Sequence, residues 1–404
     1  MSSIALSLAF WCGAATDAGA GEPREGARGM PPPFVVAQST PRAAAHSEPP
    51  TRVRGVRPEP PGAALVRADA RVHALFPQAT EALAAAHLPR DDTGLIGRNR
   101  AWGALYSPRF QLGAGAALRT ALAAGDADAA RRAFRAVEAG TEAMRADGYL
   151  PSSLPPAVGG PPSVADVASG AAFYLGDACL GLLALESNAD AGRVASDDRR
   201  RRQRERLGRA LERLLGQSET LMTADALAPN RLLFDARAYL ACAPFATSAG
   251  SDAAAALGER FVDAALALQA ADGHFVEGGG HDTSYQGVAI RIGEDVLLAD
   301  RADRADRADR ADRAERLGAA LESAAHWLAA RVDADGRIDS SGNKRTCWSD
   351  ERVFGERKRV AVADVFAGLA YAGVRTDDAR IVDAARRVQG WALVRPRTDP
   401  CFGR

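Results

Sequence analysis

The chain has 404 residues, enough to bury a large core and to form more than one domain. Lys+Arg and Asp+Glu both number 51, so the formal net charge is zero and nucleic-acid binding by bulk electrostatics has no support. Aromatics are 6%, while Ala, Leu and Arg are abundant, a balance that favours helix over sheet.

The N-terminal run "SIALSLAFWCGAA" has the length of a signal peptide, and Ala18-Gly19-Ala20 fits a small-x-small cleavage site. Met1-Ser2-Ser3 lacks the usual Lys or Arg. Residues 1–20 are thus read as a signal for the periplasm or secretion. They are too short to span a bilayer, and no later segment suits a membrane span. Residues 21–62 are dense in Pro, Gly and Arg and read as a disordered linker. Cleavage would remove Cys12 and leave Cys179, Cys242, Cys347 and Cys401, which have no CxxC spacing for zinc. One or two disulfides and buried free thiols both stand as readings of those four.

From Ala63 onward a theme repeats: an amphipathic helix, an Asp-Gly type turn, a small polar loop, then a more apolar helix. The turn aspartates lie at 147, 225, 272 and 335, with the copy at 225 degraded. Their intervals keep a register of about 60 residues, the length of a helix pair with its loops. Roughly eleven helices fit between residues 64 and 393, and period-2 strand patterning is poor. The predicted fold is all-α: residues 63–404 form an α/α toroid, an incomplete barrel of about five to six helical hairpins, with an open solenoid as the alternative closure. The tripeptide run "ADRADRADRADRADR" (299–313) reads as a solvated extension of an outer helix. "DDRRRRQRER" (197–206) reads as a charged helix start rather than an anion patch.

The richest loop is "ADGHFVEGGGHDTSYQGVAIRI" (271–292). Thr283-Ser284-Tyr285-Gln286 matches a capping box with Thr283 as N-cap, which puts Tyr285 at the positive end of an inner helix. That position favours a phenolate and anionic substrate groups. Glu277, His281 and Asp282 lie upstream, Arg291 about two turns along, and Gly278-Gly279-Gly280 allows a ligand close to the backbone. Taken singly, Asp282 reads better as a cap, Tyr285 as a packing aromatic and His281 as a loop residue, and it is the cluster together that reads as a site.

Asp272, Gly273, Phe275, His281, Tyr285 and Gly287 together resemble the helical-domain stretch of the family 8 polysaccharide lyases, where a D-G-S-F turn precedes a His and a Tyr-x-G helix start. The resemblance covers about twenty residues and the repeated hairpins. It implies β-elimination on a uronic-acid polymer, an anionic polysaccharide or oligosaccharide, by a monomeric toroid without metal or cofactor. In that reading Tyr285 is base and acid, His281 assists, and Asn230 and Arg231 contact the substrate carboxylate. Asn99 and Trp102 offer a polar group beside a sugar platform, and Gln286, Glu277, Asp282, Arg291 and Trp348 complete the predicted binding set. Two other readings stand beside it. A glycoside hydrolase would use two of Glu277, Asp282, Asp235, Asp350 and Glu351. A toroid that binds carbohydrate or protein would need no catalytic group. P-loop, Rossmann, HExxH, GxSxG and EF-hand patterns are all missing from the sequence.

Overall fold

A computed structural model describes residues 62–156, 158–303, 308–353, 356–394, 399, 401 and 402. The signal, Cys12 and nearly all of the proline-rich linker lie outside the described residues. The protein is mostly helical, as its composition predicts. Fifteen α-helices are described. The first seven are α1 (Ala63–Leu75), α2 (Pro77–Ala86), α3 (Gly97–Trp102), α4 (Ala114–Ala123), α5 (Ala127–Ala139), α6 (Val164–Glu186) and α7 (Ala191–Val194). Next come α8 (Asp197–Leu215), α9 (Ser218–Asp225), α10 (Pro229–Cys242) and α11 (Ser248–Leu266). The last four are α12 (Thr283–Asp303), α13 (Ala308–Ala329), α14 (Val362–Thr376) and α15 (Ala379–Val394). The strands described are β1 (Arg352–Val353) and β2 (Glu356–Arg357), a small antiparallel pair in the loop before α14.

Two kinds of helix alternate. In α10 every residue except Arg231 is buried, whereas only six of the 19 residues of α8 are. The apolar helices pack on one another in chain order: α4 on α6, α6 on α10, α10 on α12, α12 on α14. Helix α1 touches both α4 and α14. Helices α5, α8, α11, α13 and α15 each cover one of them. Small residues set the spacing. A Cβ on Gly287 would lie 2.6 Å from the Val365 Cα, so the glycine two places after Tyr285 is where α12 meets α14. Helix α6 is apolar and long enough to cross a membrane, but 89% of its most apolar window is buried inside the protein.

Three of the four predicted turns are the same object. The Arg145, Ala270 and Asp333 amides donate to the carbonyls four residues on, at 3.0, 2.8 and 3.1 Å, and each turn holds a glycine at positive φ (Gly148, Gly273, Gly336). A Cβ there would strike the next outer helix: the Arg209 carbonyl in α8, Ser323 in α13, the Arg387 carbonyl in α15. Each turn thus docks its own unit onto the following one, which requires glycine for both φ and space. The fourth copy departs: Asp225 ends α9 and is fully buried.

The middle of the molecule is charged. Arg119 on α4 forms two hydrogen bonds to Asp69 on α1 (2.7 and 2.8 Å) and one to Asp295 on α12 (2.7 Å). Asp295 also meets Arg291 at 2.6 Å and Arg237 of α10 at 3.1 Å, while the Tyr371 hydroxyl on α14 donates to Asp69 at 2.5 Å. Two disulfides pin neighbours, Cys179–Cys242 between α6 and α10 and Cys347–Cys401 across the loop before α14. Of the two readings of these cysteines, disulfides are what the structure contains.

The charged segments resolve simply. Residues 197–206 open α8, with Arg200 and Arg201 paired to Asp197 and Asp198 three residues back. The tripeptide run does not belong to one outer helix as expected. Its first residues finish α12 and its last begin α13, with 304–307 outside the described residues.

Candidate active site

The N-terminus of α12 is built by two loops, 267–282 and 330–361. Its cap lies one residue earlier than the capping-box pattern predicts. Asp282 Oδ1 accepts the Ser284 and Tyr285 amides (3.1 and 3.2 Å), so Asp282 is the N-cap and Tyr285 stands at the third helical position. Thr283 is unavailable because Asn343, from the second loop, accepts its amide at 3.0 Å and donates to its hydroxyl. Asp282 Oδ2 accepts the Arg345 and Thr346 amides (3.0 and 2.7 Å), tying the loops together. Gln286 does not reach back to the cap; its Oε1 accepts the Phe275 amide at 3.0 Å.

Above Tyr285 lies a chain of charges. The Arg345 guanidinium sits 4.7 Å from the Tyr285 ring centre and the Lys358 ammonium 5.5 Å from it. Arg345 donates to Glu277 and, through Nε (3.0 Å) and Nη2 (2.8 Å), to Glu351; Lys358 pairs with Glu351 as well. The ring is 7% exposed, and its hydroxyl makes no hydrogen bond among the described residues. Burial holds the Tyr285 hydroxyl well above its ordinary pKa, with Arg345 pulling the other way. Burial also pushes Glu277 up to about 7 against the attraction of Arg345. Glu351 goes the opposite way: burial opposes ionisation there, but hydrogen bonds from Arg345 and Lys358 hold its carboxyl below the usual range.

The other predicted residues lie in separate settings. His281 turns away from Tyr285: its Nε2 is 3.0 Å from the Ser341 carbonyl, and its ring neighbours are His274 and Trp327. Arg291 belongs to the central network, 3.8 Å from the Tyr371 ring centre. Arg231 donates to Ser169 (2.9 Å) and lies 2.9 Å from Asp225, off the hydrogen-bond line. The adjacent Asn230 Oδ1 is buried with no hydrogen-bond partner. Asn99 braces its own loop, donating to the Ser107 carbonyl (2.8 Å) and accepting the Tyr106 amide (2.9 Å); Trp102 packs edge-on against Tyr106 and Phe110. Trp348 is 63% exposed.

Among the hydrolase candidates, Asp235 is fully buried, as is the turn residue Asp225. Burial raises both pKa values, and the charge of Asp225 raises Asp235 further. Arg345, Lys358 and Asn343 escaped the sequence reading. The available signal was that "KRTCWSDERVFGERK" (344–358) puts cations and an aromatic in the longest Asp-Gly loop.

No group of three or more His, Cys, Asp or Glu placed to hold a metal occurs among the described residues. Comparison of the chain with family models, curated proteins and solved structures returns no match.

Proposed function

We propose that this protein is an exported α/α toroid that cleaves a uronic-acid polymer by β-elimination at the N-terminus of α12. The observation that carries the reading is Tyr285 at the positive end of a helix, its ring facing two cations and its hydroxyl without a hydrogen bond among the described residues. The ring closure is supported by the packing order of the apolar helices and by α1 meeting both α4 and α14. Export is supported by the two disulfides, which persist in oxidising compartments.

The chemistry follows from acidity. A proton on the carbon next to a carboxylate is hard to remove because the charge that develops on the carboxylate must be stabilised. Arg345 and Lys358 supply positive charge where a substrate carboxylate would compete with Glu351 for them. Tyr285 as phenolate takes that proton, the electron pair forms the C4–C5 double bond, and the bond from C4 to the glycosidic oxygen breaks. Tyr285 then returns its proton to the leaving oxygen. Since burial keeps Tyr285 protonated at neutral pH, its reactive fraction and hence the rate should climb as pH rises above 7.

One observation favours a hydrolase as second reading: Glu277 and Glu351 share Arg345, yet their pKa values are pushed apart, the division of an acid and a base. The test is incubation with hyaluronan, chondroitin, alginate, xanthan and heparin, read by ultraviolet absorbance of a 4,5-unsaturated uronate. Tyr285→Phe should lower the rate at least about 100-fold. New reducing ends without absorbance would instead select hydrolysis by the Glu277 and Glu351 pair, and neither signal would leave a binding protein.

A further inference from the structure

The loop that supplies Arg345 also holds an indole out in water. Among the described residues Trp348 is the only aromatic in the set of strongly exposed large apolar side chains. Its backbone is fixed on both sides. Thr346 is tied to Asp282, and the Trp348 amide donates to the Thr346 carbonyl at 2.7 Å. Cys347 between them is buried, disulfide-bonded to Cys401, and held at φ +67°. A non-glycine residue in that region is strained by roughly 1 kcal/mol or more, so the turn costs stability and its effect is to point Trp348 outward.

What it points over is a cleft of about 340 Å³, lined by Trp348, Arg331, Arg337, Asp333, Asp339 and Ser341 among others. The Arg337 guanidinium is exposed and has no ion-pair partner among the described residues. Arg331 lies flat 4.0 Å from the Trp327 ring centre and only 3.5 Å from Asp339, a loose pair that an incoming anion can displace. Ser341 connects this floor to the first loop, because its carbonyl contacts His281. An exposed indole beside the unpaired Arg337 guanidinium and the loosely paired Arg331 suits a ring with one apolar face and an acidic substituent.

The geometry points to this cleft as a second subsite, in which Trp348 stacks on a pyranose ring and Arg337 and Arg331 pair with its carboxylate or sulfate. The subsite rests on the reading above for its role in polymer cleavage, but its binding is independent of turnover. It holds a sugar unit some distance along the polymer from the one that reacts.

The test uses octasaccharides of hyaluronan (carboxylate only), chondroitin sulfate (both anions) and, as neutral control, maltose, with tryptophan fluorescence read on the native chain and titration calorimetry giving the affinity of every variant. At least one acidic octasaccharide should quench the emission, and maltose should not. Trp348→Ala should weaken binding about tenfold, the loss of one aromatic contact face. Trp348→Phe should restore most of it, and Arg337→Ala should weaken binding and flatten its salt dependence. A preference for the sulfated ligand assigns the anion as sulfate, equal binding as carboxylate. Unchanged affinity in Trp348→Ala, or no quenching by any acidic octasaccharide, overturns the subsite even if polymer is cleaved. Binding that depends on Trp348 without any cleavage leaves the subsite standing and removes the lyase reading.

Discussion

Two arginine–carboxylate clusters, one at the centre and one at the rim, use the same groups to opposite effect. At the centre Asp295 faces Arg119, Arg291 and Arg237; burial alone would raise its pKa, yet three cations hold it far below the usual range. At the rim Glu277 has Arg345, which it shares with Glu351, and burial wins, leaving Glu277 at about 7. The number of cations per carboxylate therefore separates a fixed charge from a titratable one. The fixed cluster joins α1, α4, α10, α12 and α14; the titratable one borders Tyr285.

Breaking the centre should have the largest effect. Arg119→Met leaves Asp69 in the interior without its arginine and takes one of three from Asp295, and should cost ~3–5 kcal/mol in chemical denaturation, enough to threaten folding. At the rim the comparison is sharpened by pH. A carboxyl whose folded pKa lies above its unfolded one favours the folded state when protonated. Glu277 therefore contributes stability that is complete below pH 4.5 and is lost as pH rises to about 7. Its share of that decline should be about 3 kcal/mol, and Glu277→Gln should remove that share, read as the difference between the two pH–stability curves. Asp364, also raised to about 7 by burial, keeps its own slope in that variant. The smallest effect belongs to the surface. Arg201→Ala breaks an exposed pair with Asp198 and should change stability by roughly 0.3 kcal/mol, and less at high salt.

The helical class and the Asp-Gly turns were legible because they depend on local residues. Gly148, Gly273 and Gly336 are demanded by a backbone φ that neighbouring residues cannot change. The cap of α12 was not. Asp282 and Thr283 are both competent caps, and the choice is made by Asn343, 60 residues away, which occupies Thr283. Likewise Arg291 has helical spacing from Tyr285, but which residues meet it depends on how α4, α10 and α14 face α12, and no spacing within α12 encodes that. His281 and Tyr285 are four residues apart, yet the first precedes the helix and the second lies within it, so their rings diverge to different partners.

The Cys347–Cys401 bridge spans 54 residues, and α14 and α15 lie between its ends. During synthesis the loop bearing Arg345 and Trp348 emerges well before the cysteine that latches it. Until both later helices are made and seated, that loop is held by its bonds to the first loop and the start of α12, at Glu277, His281, Asp282 and Thr283. The rim site is thus the last part of the molecule to mature, and an unfinished or reduced chain carries the helices without a finished cleft.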